Sequence, residues 1–332
     1  MVRPARYQCV FALVSHSLLV ATTALRLESG LAHSAASGAV TIPNYDLNDG
    51  YKMPALGLGV YRVSPGKTTY ETVKAALELG YRMIDTAHYY GNEADVGRAV
   101  RDSGIPRSEI FVTSKLWDGD HGCAKAYAGG VASNKKLGLD YIDLYLIHTP
   151  GVFGRGKIVE TYDALLQLKA DGVVRSVGVS NFNIQHLEAL KEHGRPTPAL
   201  NQIELHPLVW EDRKELVQYC KDNGILVQAY GSILSGHWNL MDKADDLVEP
   251  HGKTPAQILL RWALDQGFQV IPKSTHKSRQ AENMDVFDFS LSDAEIETLN
   301  KELPGGHLWD YLDLPTKVSI GNLDSTCKQE GS

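Results

Sequence analysis

The sequence predicts an α/β protein: a single (β/α)8 TIM barrel preceded by a short β-hairpin and followed by an irregular C-terminal loop. Three observations carry this. Short apolar runs alternate with amphipathic stretches from residue 55 to about residue 284. There are eight such runs. Seven of the eight close on polar or ionisable residues. Strand–helix alternation in this order gives a parallel sheet with helices outside it, and eight units in roughly 230 residues match a closed barrel. The alternative, a doubly wound open sheet, normally has fewer strands in one domain.

A hairpin opens the ordered part: residues 41–47 and 51–53 flank Asn48-Asp49-Gly50, a turn signal. The eight runs are 55–60, 83–85, 110–114, 144–147, 176–179, 199–204, 226–229 and 269–271. Asp140, Tyr141, Ile142 and Asp143 introduce the fourth. Helical periodicity fills the gaps at 68–79, 93–103, 124–137, 159–171, 184–193, 212–222 and 255–265, with one more helix at about 278–284. Gly129-Gly130 should weaken the third helix. Ser292, with Glu295 three residues on, marks the start of a late helix. Beyond Leu303, Pro304, Gly305, Gly306 and Pro315 read as a loop carrying Trp309 and Tyr311. This loop is expected to lie over the active-site face.

Of 332 residues, 43% are hydrophobic and 22% charged, an ordinary globular composition. The formal charge of -7, without a long Lys/Arg run, excludes a nucleic-acid binder driven by overall charge. Cys9, Cys123, Cys220 and Cys327 form no C-x-x-C. A domain this large needs no disulfide framework, so they read as free or buried thiols.

Residues 1–38 stand apart as a targeting or disordered segment, with the barrel domain at 39–332. Arg3 and Arg6 precede a mostly apolar stretch at 9–25, Ala32, Ser34, Ala35 and Ala36 follow, and no acid precedes Glu28. A secretory signal and a mitochondrial presequence both fit; without such a segment the expected compartment is cytoplasmic. The stretch is too short and polar for a membrane span.

In a parallel barrel, chemistry sits at the C-terminal ends of the strands. The residues there are Asp85, Ser114-Lys115, His148, Ser180-Asn181, Asn201 with Gln202 and Glu204, Tyr230, and Lys273-Ser274. Asp85, Lys115 and His148 come from neighbouring strands. Tyr90 follows Asp85 by five residues, in a loop that can fold back over the rim. A free tyrosine, with a pKa of about 10, is a poor acid at neutral pH. An adjacent ammonium stabilises the phenolate, and an aspartate keeps that ammonium charged. Asp85, Lys115 and Tyr90 therefore suit proton delivery to a developing alkoxide, with His148 orienting a carbonyl oxygen.

Six stretches resemble the aldo-keto reductase family: "MIDTAHYYGNEADVG" (83–97), "FVTSKLW" (111–117), "DLYLIHTP" (143–150), "VRSVGVSNF" (174–182), "NQIELHP" (201–207) and "IPKSTHKSRQAEN" (271–283). The resemblance spans about 41–303. It implies NADPH-dependent reduction of an aldehyde or ketone to an alcohol, with catalytic Asp85, Tyr90, Lys115 and His148. It implies NADPH lying extended across the rim, with Ser180, Asn181 and Gln202 on the carboxamide and Tyr230 stacked on the nicotinamide. Lys273, Ser274 and Arg279 would meet the 2'-phosphate, and Glu282 and Asn283 the adenine. A guanidinium beside an ammonium favours that extra phosphate. No Rossmann fingerprint is seen, since Gly57-Leu58-Gly59 lacks the following glycine and helix.

The expected substrate wall is Tyr61, His88, Trp117, His148 and Trp309. Tyr61 stands where many members have Trp, and Gly231-Ser232-Ile233 replaces a serine-led loop. The segment after His148 is short. The expected partner is a small carbonyl compound, with no metal and no nucleic acid, and the family default is a monomer. A non-catalytic, cofactor-sensing subunit is the alternative, against which all four proposed catalytic residues are present. A Schiff-base enzyme on a similar barrel would need an unprotonated lysine, and Asp85 beside Lys115 opposes that.

Overall fold

The computed structural model describes residues 40–151, 157–236, 242–301, 320, 321 and 327. Eight parallel strands pair in chain order: β3 (Leu58–Gly59), β4 (Met83–Asp85), β5 (Phe111–Leu116), β6 (Ile142–Ile147), β7 (Val174–Ser180), β8 (Leu200–Glu204), β9 (Leu226–Tyr230) and β10 (Gln269–Val270). A parallel bridge between Leu56 and Val270 joins the first strand's entry to the last strand and closes the barrel. The expected (β/α)8 barrel is therefore the fold. β5 and β6 are buried at every position, as strands between a packed interior and a helical shell must be.

The hairpin pairs β1 (Asn44–Asp46) with β2 (Lys52–Pro54) antiparallel. Its turn is closed by Leu47 N–H donating to the Tyr51 carbonyl at 2.8 Å.

The helices expected from periodicity are α1 (Lys67–Leu79), α2 (Glu93–Arg101), α3 (Cys123–Leu137), α4 (Ile158–Ala170), α5 (Ile184–Glu192), α6 (Trp210–Asp222), α9 (Pro255–Asp265) and α10 (Lys277–Met284). Two short helices, α7 (Asp242–Asp245) and α8 (Val248–His251), lie in a connection without helical periodicity. The late helix α11 (Asp293–Lys301) begins as its sequence predicts: Ser292 N–H donates to Glu295 Oε2 at 2.7 Å, and Glu295 N–H to Ser292 Oγ at 3.3 Å. Gly130 has a packing reason. A Cβ there would lie 2.2 Å from Leu168 Cδ1, so its absence lets α3 settle against α4.

The cysteine reading needs correction. Cys123, the first residue of α3, is disulfide-bonded to Cys327, across 204 residues of sequence. Spacing cannot reveal this pairing. Cys327 meets the start of α3 through this bond, and the Glu160 N–H donates to the Ile320 carbonyl at 3.0 Å. Cys220 does remain a buried thiol, and burial pushes its pKa up to about 12. Cys9, the segment 1–38, Trp309 and the loop carrying it lie outside the described residues.

A bond closing so long a loop removes much unfolded-state entropy. Cys327→Ser should lower unfolding free energy by about 2–5 kcal/mol. Denaturant titrations should give the oxidised wild type a higher midpoint than both the variant and the reduced wild type. Identical midpoints in all three would contradict the bond.

Candidate active site

Asp85 ends β4, and Lys115 lies next door in β5. The register places Asp85 opposite Thr113, so Lys115 points to the same inner face two residues further on. Lys115 is 0% exposed and Asp85 2%. The Lys115 ammonium donates to Asp85 Oδ1 at 2.6 Å, to the Thr86 carbonyl at 2.9 Å and to the Tyr90 hydroxyl oxygen at 3.1 Å. All three N–H donors thus point at oxygen. Burial pulls Lys115 below its usual pKa, and the Asp85 carboxylate and then Glu93 oppose that pull. Burial likewise pushes Asp85 up, and the Lys115 charge opposes it. Glu93, behind the strand, accepts a 2.5 Å hydrogen bond from Ser114 Oγ.

Tyr90 closes a single 3-10 turn, His88–Tyr90, followed by Gly91 in a left-handed conformation (φ 68°). Asn92 pins this turn. Its amide donates to the carbonyls of Val60 (3.1 Å) and Val63 (3.3 Å), and its oxygen accepts from Thr86 Oγ1 at 2.7 Å. The turn is thereby tied to the loop that carries Tyr61, whose ring centroid lies 5.0 Å from that of Tyr90.

His148 follows β6. Its ring is edge-on to Trp117 at 5.6 Å and to Tyr90 at 5.7 Å. The ring is half-buried among Tyr89, Tyr90 and Trp117 and lines the cavity. That burial, reinforced by the Lys115 charge, pushes its pKa down to about 3. It is a neutral imidazole at physiological pH.

A cavity of about 1220 Å³ opens over these groups. Ser180, Asn181, Gln202 and Tyr230 line it near Tyr90 and His148. Ser180 Oγ donates to the Gln202 carbonyl at 2.8 Å. Asn181, in a left-handed conformation (φ 59°), donates to the His148 carbonyl at 3.0 Å and accepts from the Tyr230 hydroxyl at 2.8 Å. Gln202 Nε2 donates to Asp85 Oδ2 at 2.8 Å.

Lys273, Ser274, Arg279, Glu282 and Asn283 line the other arm of the cavity. Lys273 and Arg279 are exposed and carry no ion pair among the described residues. Thr254, from the start of α9, donates to Glu282 Oε1 at 2.8 Å.

The structure places some of the expected wall residues at the cavity and others away from it. Tyr61, Trp117 and His148 line the cavity. His88 does not, because its Nδ1 faces Asp120 Oδ2 at 3.8 Å; Tyr89 takes its place in the wall, stacked on Trp117 at 4.0 Å. In a one-turn helix successive side chains diverge, so the sequence position next to Tyr90 does not tell which residue faces in. Arg62, Asp118, Thr149 and the 254–256 segment also line the cavity and were not foreseen. Arg62 and Asp118 are signalled only by adjacency to Tyr61 and Trp117. The 254–256 segment carries no local signal, because a long connection folds it back. Among the described residues, no group of three or more His, Cys, Asp or Glu is arranged to hold a metal.

Residues 55–303 match the model of the Aldo/keto reductase family. The chain is 48% identical over 264 residues to an aldo-keto reductase of Mycobacterium sp. (strain MCS), covering 79% of this chain and 91% of that one. It is 43% identical over 259 residues to the glyoxal reductase of Bacillus subtilis (strain 168), covering 77% and 92%. The crystal structure of an aldo/keto reductase from Brucella melitensis superimposes with a TM-score of 0.74 at 42% identity, covering 79% of this chain and 99% of that one. The chain belongs to the aldo/keto reductase family. It is an oxidoreductase of a family that acts on small carbonyl compounds with a nicotinamide cofactor.

The depressed His148 pKa has a consequence for stability. Between about 3 and the ordinary 6.5, the unfolded chain binds a proton that the folded chain excludes, so stability rises with pH across that window. The contribution is complete above about 6.5 and is lost as pH falls toward 3. Urea midpoints should therefore drop between neutral and mildly acidic pH, and His148→Gln should flatten the drop. An equally steep drop in the variant would assign it to other groups.

Proposed function

We propose that this protein reduces an aldehyde or ketone to the alcohol with NADPH, using Tyr90 as general acid assisted by Lys115, Asp85 and His148. One observation carries the reading: a fully buried ammonium bridges a carboxylate and the Tyr90 hydroxyl, at 2.6 Å and 3.1 Å. The positive charge stabilises the phenolate left when Tyr90 gives up its proton, which makes the hydroxyl a better acid. Asp85 keeps the charge on Lys115. His148, being neutral, offers an N–H to the carbonyl oxygen without setting a second cation against Lys115. The Tyr90 proton goes to that oxygen as it gains negative charge.

The residues present fit a nicotinamide cofactor. Ser180, Asn181 and Gln202 offer hydroxyl and amide groups for its carboxamide, and Tyr230 offers a ring for stacking. Lys273 and Ser274 just before α10 and Arg279 in its first turn, the two cations forming no ion pair among the described residues, suit an additional phosphate. This favours NADPH over NADH. Glu282 and Asn283 suit the adenine. When bound, the cofactor supplies the hydride that reaches the carbonyl carbon. Tyr61, Trp117, Tyr89 and His148 form an aromatic wall suited to a compact carbonyl compound, and the relative named as a glyoxal reductase supports that size class.

Purified protein should oxidise NADPH with at least one member of a panel of glyoxals, sugar aldehydes and keto acids, followed by nicotinamide absorbance. Tyr90→Phe should lower kcat by about 100-fold or more with NADPH affinity unchanged. Wild type that binds NADPH but reduces no carbonyl would instead favour the cofactor-sensing alternative. A Tyr90→Phe variant with wild-type kcat would remove Tyr90 from its role.

A further inference from the structure

Three glutamines form a buried chain through the barrel interior. Gln202, Gln228 and Gln269 occupy matched register positions on β8, β9 and β10, and each is at most 2% exposed. Gln202 Nε2 donates to Asp85 Oδ2 at 2.8 Å and also to Gln228 Oε1. Gln228 Nε2 donates to Gln269 Oε1 at 2.6 Å, and Gln269 Nε2 donates to the Pro54 carbonyl at 3.1 Å. The ladder thus runs from the proposed catalytic aspartate to the end of β2.

Its polarity is set at both ends. An ionised carboxylate and a backbone carbonyl can only accept. Between two terminal acceptors, one amide must donate in both directions, and here it is Gln202. Turning that amide over would set its oxygen against the Asp85 carboxylate and the Gln228 oxygen, leaving buried acceptors without donors. The remaining polar atom of Gln202, Oε1, accepts no hydrogen bond among the described residues. Gln202 lines the cavity beside Tyr230 and Asn181.

We infer that the Gln202–Gln228–Gln269 ladder is a positioning device that fixes Gln202 with its carbonyl oxygen toward the cofactor. Gln202 therefore takes an N–H of the nicotinamide carboxamide and sets which ring face meets the substrate. Gln228 is the positioning residue, acting only through Gln202. The inference rests on the nicotinamide-cofactor reading above. What Gln228 must supply is an acceptor for Gln202. A glutamic acid there still supplies one, and in its protonated form also donates to Gln269. A methionine of similar length supplies neither.

The test compares wild type, Gln228→Met and Gln228→Glu. It measures the Kd of NADPH and of its acetylpyridine analogue, whose side group has no N–H. It also measures deuterium transfer from NADPH labelled on either face of C4, and the thermal midpoint. Wild type should transfer from one face only. Gln228→Met should bind NADPH about tenfold more weakly, the scale seen when a supporting hydrogen-bond partner is lost, and should leak transfer from the other face. The same substitution should leave the analogue's Kd unchanged, whereas general damage to the barrel would weaken both. Gln228→Glu should keep wild-type affinity and single-face transfer.

A folded Gln228→Met variant with wild-type NADPH affinity and single-face transfer overturns the inference. So does a folded Gln228→Glu variant that loses both, and this second variant decides the matter if methionine prevents folding. A wild-type chain that binds neither NADPH nor NADH overturns the cofactor reading itself. Binding by wild type with no effect at position 228 removes only the ladder's role.

Discussion

The buried ion pair between Lys115 and Asp85 is the constraint around which the site is built. Bringing an ammonium and a carboxylate into a barrel interior costs several kcal/mol per ion unless each is paired and hydrogen-bonded. Here the ammonium has three oxygen partners, and the aspartate divides its two oxygens between Lys115 and Gln202. Such a pair contributes little net stability compared with apolar residues of the same volume. Its value lies in what it faces, because one of the three ammonium partners is the hydroxyl of Tyr90. Asn92 serves the same end from outside, stapling the Tyr90 turn to the loop after β3. Glu93 adds a second carboxylate that supports the Lys115 charge.

The two arms of the cavity differ in electrostatic character. Near Tyr90 the polar groups are buried or half-buried, and Asp85, Lys115, Gln202, Asn181 and Tyr230 are held by hydrogen bonds. At the far arm, Lys273 and Arg279 are exposed and form no ion pair among the described residues. A chain of net charge -7 thus keeps a local cationic surface at one point of its rim. Rigid geometry suits proton delivery over a fixed distance, and exposed cations suit a mobile phosphate arriving from water.

Much of this was legible in the sequence for a topological reason. In a parallel barrel every strand end that matters lies on one face, so a polar residue closing an apolar run is already placed. Asp85, Lys115, His148 and Tyr230 were found that way, and α11 through the local chemistry of Ser292 and Glu295. What escaped depends on contacts between distant segments. The Cys123–Cys327 bond joins residues that share no local pattern. Tyr89 rather than His88 faces the cavity because of one short turn. Gln228 and Gln269 sit inside runs that read simply as apolar strands. Strands buried on both faces lose the alternation that would mark an inward polar residue.

The central claim is that the Lys115 charge is what makes Tyr90 an effective acid. The most direct measurement is the pH dependence of kcat for carbonyl reduction in wild type and in Lys115→Met. With the cation gone the Tyr90 hydroxyl should hold its proton to higher pH. The variant should then show a lower plateau and an alkaline limb moved upward. An alkaline limb at the same pH in both proteins would contradict the account and place the proton donor elsewhere.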